Sequence, residues 1–189
     1  MPYPFPPMSR AGQRIPCYEP GSGDDIADQA LAGIATMFAG RIPNYHKVLA
    51  NSPQVVTAFE AMRRLLQKTK LRAVEREIVA LEVSRRSQCE YCLAAHTQFM
   101  RMYRVGEADI DALLAGRPMS TPRHALIQEA ARKLYDRQGR LSDGELAAFR
   151  GRGLSDAELI EVIAVIGWYV MSTFTNNLAQ TRIDDFWTR

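Results

Sequence analysis

The chain has 189 residues, of which 47% are hydrophobic and 24% charged, and a formal net charge of +3. That length and balance suit one sizeable domain, or at most two small ones, with an ordinary apolar core. So small and dispersed a charge excludes a nucleic-acid footprint, and the pairs Arg63-Arg64 and Arg85-Arg86 read as solvated helix faces.

The first 23 residues carry six prolines, then Gly21-Ser22-Gly23, and no periodic apolar pattern. They predict an extended arm over residues 1–24, either mobile or packed across a neighbouring subunit, with Cys17 as a bystander. The start has no charged region followed by an apolar run, so no secretory signal is read and a cytoplasmic location is expected. In that compartment three cysteines, two of them only three apart, favour redox or metal chemistry over structural staples.

From Asp25 the period is helical, and residues 25–189 are expected to form one helical domain. Ile26, Leu31, Ile34 and Phe38 make a stripe that Gly40 terminates. Ser52-Pro53 and Thr121-Pro122 each read as an N-cap followed by proline at the first helical position. Ser142 with Glu145 and Ser155 with Glu158 are capping boxes, flanked by the apolar pairs Leu141/Leu146 and Leu154/Leu159. The apolar run from Leu159 to Phe174 is interrupted by Glu161 and falls short of the ~18–20 residues that span a bilayer. It predicts a buried helix or a subunit contact, with Trp168, Tyr169 and Met171 on faces that one domain leaves partly uncovered. No hairpin signal appears, so the fold class is all-α. A faint internal echo, Leu71 and Glu75 against Leu154 and Glu158, suggests a duplicated helical unit whose second copy has Ser172 and Thr175 in place of Cys89 and Cys92.

The chemically informative segment runs from Ser87 to His96. Ser87 and Glu90 read as a third capping box, so a helix is expected to begin at Ser87 with Cys89 in its first turn. On that helix Cys92 lies about 60° and His96 about 20° from Cys89 around the axis, so all three share a face. Residues three apart lie ~5 Å from each other, within the range a disulfide tolerates. Free amides at a helix start favour a thiolate, which makes Cys89 the more acidic thiol on this reading. His96 can accept or return a proton, and Glu77, on the preceding helix, can orient its imidazole.

Rival readings use the same residues. Two cysteines at helical spacing can be small buried hydrophobes. Two thiolates, one imidazole and one carboxylate make four zinc ligands, but a second CxxC or HxxxH is missing. Covalent haem attachment fails because Leu93, not histidine, directly follows Cys92. His46 and His124 have no chemical company in the sequence and are assigned surface or cap roles.

Glu77, eleven intervening residues, Cys89-x-x-Cys92, three more and His96 resemble the motif of the alkylhydroperoxidase D-like proteins of the carboxymuconolactone decarboxylase superfamily. The likeness extends over roughly residues 40–182 and includes Val48-Leu49-Ala50-Asn51-Ser52-Pro53. It implies an all-helical fold assembled as trimers or hexamers and reduction of hydroperoxides through the cysteine pair. By position, Cys92 would attack the peroxide, Cys89 would resolve, and Glu77 and His96 would relay protons. This reverses the order of acidity drawn from the helix start. The chain departs from the family at Tyr91, where the best-studied members have histidine; a phenol with pKa near ~10 is a poor shuttle at neutral pH.

The expected protein is therefore a homo-oligomeric thiol peroxidase or disulfide reductase without cofactor or metal. Its partners would be a small hydroperoxide and a thiol or disulfide electron donor of unknown identity, with neither nucleic acid nor membrane. The alternative is a non-catalytic thiol redox sensor or metal-binding protein on the same fold.

Overall fold

The computed structural model describes residues 12–188. Nine α-helices and one short 3-10 turn, and no strand, occur among them: α1 (Asp25–Met37), α2 (Asn44–Leu49), α3 (Pro53–Leu66), α4 (Ala73–Arg86), α5 (Glu90–Met102), α6 (Glu107–Leu114), α7 (Pro122–Asp136), α8 (Asp143–Gly151) and α9 (Asp156–Ala179), with the turn at Asp185–Trp187. The all-α expectation holds.

Helix α4 is the hub. It packs against α5, α7 and α9, while α1 and α2 lie on α3, and α2 and α3 also touch α9. Its residues Ile78–Ser84 are all buried, a continuous run that a one-faced surface helix would not show. Removing a buried leucine or isoleucine from such a centre costs about 2–5 kcal/mol.

The helix starts follow the sequence grammar in detail. Ser142 and Ser155 accept from the amides of Glu145 and Glu158, whose carboxylates return to the serine amides at 3.1 and 2.8 Å. Leu154 and Leu159 are buried beside the second box. Ser52 and Thr121 occupy N-cap positions, but the following proline rather than a side-chain bond sets the start. A further box forms at α4, where the Glu75 carboxylate accepts from the Arg72 amide at 2.7 Å. The echo between the two helix starts has a physical link: Arg123 donates to Glu75 at 2.8 Å and to Glu158 at 2.6 Å. The two units then diverge, since α4 stops at Arg86 and α9 runs on to Ala179.

Four sequence expectations change. The arm, where it is described, packs on its own chain: Arg14 N–H donates to Ala179 O at 2.7 Å, Tyr18 N–H to Lys47 O at 3.0 Å, and Asn51 Nδ2 to Pro16 O at 2.8 Å. Its first eleven residues lie outside the described range. Arg63, Arg85 and Arg86 are mostly buried rather than solvated, because Glu60 and Glu82 are buried carboxylates that need them. Helix α9 is 24 residues long, which by length and composition could cross a membrane. It sits instead in the middle of the bundle, with Trp168 and Tyr169 buried and Ile160, Ile163, Met171, Phe174 and Leu178 exposed. Ile26 is likewise exposed, and Ala27, Leu31 and Ile34 form the buried stripe of α1.

Candidate active site

The cysteine pair sits at a break between two helices. Helix α4 closes with Gln88 in the left-handed region (φ 50°), Cys89 N–H donating to Ser84 O at 3.0 Å and Gln88 N–H to Arg85 O at 3.3 Å. The Ser87 N–H, which a capping box would give to the Glu90 carboxylate, donates instead to Val83 O at 2.9 Å. The Ser87 hydroxyl, buried, meets the Tyr135 hydroxyl at 3.0 Å and accepts from Thr173 at 3.3 Å. The expected box at Ser87–Glu90 therefore does not form. The helix restarts at Glu90, and Cys89 is its N-cap, its sulfur accepting from Cys92 N–H at 3.3 Å.

This break brings the two thiols together. Cys89 donates to Cys92 with the sulfurs 2.8 Å apart, and both are free and buried. Burial opposes ionisation of Cys92, but the Cys89 thiol, the charge of His96, the Ser172 hydroxyl at 3.6 Å and the Asn176 amide at 3.3 Å outweigh it and bring the thiol down to about 7. Donating to Cys92, together with burial, pushes Cys89 well up. The more acidic thiol is thus Cys92, the reverse of the helix-start argument, because side-chain donors converge on it while Cys89 acts as a donor itself.

His96 and Glu77 meet as expected: His96 Nδ1 lies 2.7 Å from Glu77 Oε2. Burial lowers the imidazole pKa, but the Glu77 charge, its hydrogen bond and Cys92 together raise it above the ordinary value. Tyr169 packs edge-on against the His96 ring at 4.7 Å and fixes its plane. All four predicted site residues therefore come together, Glu77 from α4, Cys89 at the cap, Cys92 and His96 from α5.

Cys92, His96 and Glu77 line a cavity of about 510 Å³ whose remaining wall is largely aromatic, with Phe38, Phe59, Phe99, Trp168 and Trp187 prominent. Among the described residues no group of three or more His, Cys, Asp and Glu is arranged to hold a metal ion. Cys17 stays apart, its thiol 3.7 Å from Asn44 Oδ1.

Several residues were missed in the sequence. His46 is buried, lines the cavity and lies 3.4 Å from Glu60, so the surface role is wrong for it. The pair is fourteen residues apart on different helices, a separation that carries no periodic signal. Ser172 and Asn176, one turn apart on α9, both reach Cys92; polar residues inside an apolar run were the available clue. Tyr91 is not a spare phenol. It donates to Asp184 at 2.6 Å and accepts from Tyr45 N–H and Trp187 Nε1, which ties the C-terminal segment over the cavity.

Residues 53–119, which contain Glu77, Cys89, Cys92 and His96, match the Carboxymuconolactone decarboxylase family. No curated protein matches the chain. Among solved structures, the chain is similar to an alkylhydroperoxidase AhpD core, an uncharacterized peroxidase-related protein from Ralstonia eutropha JMP134, with 24% identity and a TM-score of 0.83 over 97% of this chain and 96% of that one. An uncharacterized peroxidase-related protein from Silicibacter sp. TM1040 shares 21% identity, with a TM-score of 0.76 over 96% and 97%. The debrominase Bmp8 shares 15% identity, with a TM-score of 0.74 over 92% and 94%. These likenesses establish the fold.

Proposed function

We propose that this chain, an alkylhydroperoxidase D-like member of the carboxymuconolactone decarboxylase family, reduces hydroperoxides with Cys92 and Cys89. The observation that carries the reading is one arrangement: an acidic Cys92 accepting from Cys89 at 2.8 Å, beside a Glu77-held His96, at the wall of a cavity. The fold alone would not suffice, since a debrominase shares it.

The Cys92 thiolate attacks the terminal oxygen of the hydroperoxide, the O–O bond breaks, and the departing alkoxide takes a proton from His96. Products of this step are an alcohol and a Cys92 sulfenic acid. The Cys89 thiol then attacks the sulfenic sulfur, releasing water and leaving a Cys89–Cys92 disulfide. Two electrons from an external dithiol restore both thiols, and Glu77 holds the His96 tautomer throughout. Cys92 ionising near neutrality places the nucleophile close to ambient pH, where thiolate fraction and nucleophilicity are best balanced.

We assign the physiological setting as cytoplasmic and the chain as a homo-oligomer; the exposed Ile163, Met171, Phe174 and Leu178 on α9 support the second assignment. The test is turnover of cumene hydroperoxide with dithiothreitol, followed by peptide mapping of the oxidised protein. Consumption with a Cys89–Cys92 disulfide and a free Cys17 is expected. Pairing of Cys17 with either site cysteine, or no consumption, would refute the reading.

A further inference from the structure

The apolar run of α9 carries two polar side chains on its buried face that the peroxide steps above do not use. Ser172 and Asn176 stand one turn apart and are both buried. Both meet the Cys92 sulfur, Asn176 Nδ2 at 3.3 Å and Ser172 Oγ at 3.6 Å. They belong to the unit that the sequence echo marks as the second copy. There Leu154 and Glu158 answer to Leu71 and Glu75, and Ser172 falls where the first copy has Cys89. The second copy has no thiols at the matching positions, and its polar residues are turned on the nucleophile of the first.

Packing does not account for Asn176. Its Oδ1 is buried with no hydrogen-bond partner, an arrangement that costs stability, whereas the same face otherwise holds Val162, Val165, Trp168 and Tyr169. What the amide gains is the bond to sulfur. Cys92 already accepts from the Cys89 thiol at 2.8 Å and as a thiolate has no proton to give, so the sulfur calls for further N–H and O–H donors. The placement also suits attack. Cys92 and Ser172 line the cavity and, among the described residues, Asn176 does not, so the amide holds the sulfur from behind and leaves its cavity side open. The other titratable groups around Cys92 and His96 do not supply such donors. Tyr45 of α2 and Tyr169 of α9 are pushed well up by burial and stay neutral, Tyr91 and Asp184 bond each other, and Glu77 acts through His96.

We propose that Asn176 and Ser172 are catalytic residues, a donor pair that keeps Cys92 ionised for attack. Helix α9 thereby completes a site whose thiols and proton relay come from α4, α5 and the turn between them. Asn176, the nearer of the two, contributes more. This rests on Cys92 being the reacting thiol of the proposed function.

The test follows the thiolate and uses no peroxide. Reduced protein is alkylated with iodoacetamide across pH, and the rate at Cys92 is read by mass spectrometry of its peptide. Iodide leaves without taking a proton, so the rate traces the ionisation of Cys92. Wild type should give a midpoint at about 7. Asn176→Leu, which fills the same space without the donor, should raise it by about one unit or more, the worth of a hydrogen bond to an ionised group. At about pH 6 that variant should therefore react about tenfold more slowly than wild type. Ser172→Ala should raise the midpoint by about half a unit, its contact being longer, and carries the test if the leucine variant does not fold. Above its midpoint each variant should alkylate within about threefold of wild type, since a thiolate of higher pKa is no poorer a nucleophile. An unmoved midpoint in the folded variants, with or without a rate lowered alike at every pH, overturns the proposal. So does a midpoint that falls, the sign of an Asn176 amide turned to present its carbonyl to the sulfur. Raised midpoints in a protein that consumes no peroxide would fault the peroxide reading and leave the donor pair standing.

Discussion

His96 and Glu77 were legible because a strict spacing names them, and the structure adds why each matters to Cys92. Their roles are separable from packing. Glu77→Gln and His96→Gln should each slow the reaction of reduced protein with cumene hydroperoxide by about 10²-fold or more, the range for general acid–base groups. Stopped-flow rates of wild type should rise as pH passes about 7, where Cys92 ionises, and fall above the raised pKa of His96, where the proton donor is lost. His96→Gln should remove the high-pH limb and move the low-pH limb upward, since the imidazolium charge helps to lower Cys92. Unchanged rates and limbs in both variants would reduce the pair to packing. Tyr91 shows the opposite case. Its identity marked a departure from the family motif, but nothing local reveals a bond to Asp184, ninety-three residues away. The order of thiol acidity was misread for a similar reason: Ser172 and Asn176 come from α9, and only the tertiary fold brings them to Cys92.

Helix starts were the most readable elements, because a capping box is a local exchange of two hydrogen bonds that needs no distant partner. The exception at Ser87 is instructive. Serine and glutamate at the right spacing were overridden by the closure of α4, which takes the Ser87 amide for Val83 O. The link between the two boxes at α4 and α9 makes a separate prediction. Arg123 joins Glu75, which is 1% exposed, to Glu158, so Arg123→Ala should destabilise the fold by about 2–3 kcal/mol in urea melts, below a fully orphaned buried charge because Arg72 remains on Glu75. Both carboxyls sit below their ordinary value, Glu158 at about 2, against burial and through their bonds to Arg123 and their own capped amides. A lowered folded pKa contributes stability present above the unfolded value near ~4.3 and lost as pH falls through the folded one. The gap between wild type and variant should therefore be full near about pH 6 and shrink between about pH 4.5 and 2. A gap independent of pH would mean that Arg123 acts by packing alone.

For the molecule as a whole, composition and period sufficed for the fold class, while the cavity was invisible because its wall is drawn from the end of α1, from α2, α3, α4, α5 and α9, and from the C-terminal turn. The same holds for the surface. The apolar run in α9 was readable, but not that Trp168 and Tyr169 face inward and Ile160, Ile163, Met171, Phe174 and Leu178 outward along one stripe. Such a stripe on a central helix is expected to be covered by another copy of the chain. Light scattering should give a mass that is a multiple of 21.3 kDa. Ile163→Glu with Phe174→Glu should shift it to the single-chain value while the helical circular dichroism is kept. A wild-type monomer at all concentrations would remove the oligomer assignment.

The central claim is that Cys92 attacks and Cys89 resolves. Reduced wild type, Cys92→Ser and Cys89→Ser are mixed with one equivalent of cumene hydroperoxide, and peroxide loss is followed with trapping by dimedone. Wild type should consume the peroxide and end as the Cys89–Cys92 disulfide; Cys89→Ser should consume it once and hold a dimedone-reactive sulfenic acid on Cys92; Cys92→Ser should leave it untouched. Peroxide loss in Cys92→Ser at the wild-type rate would contradict the account.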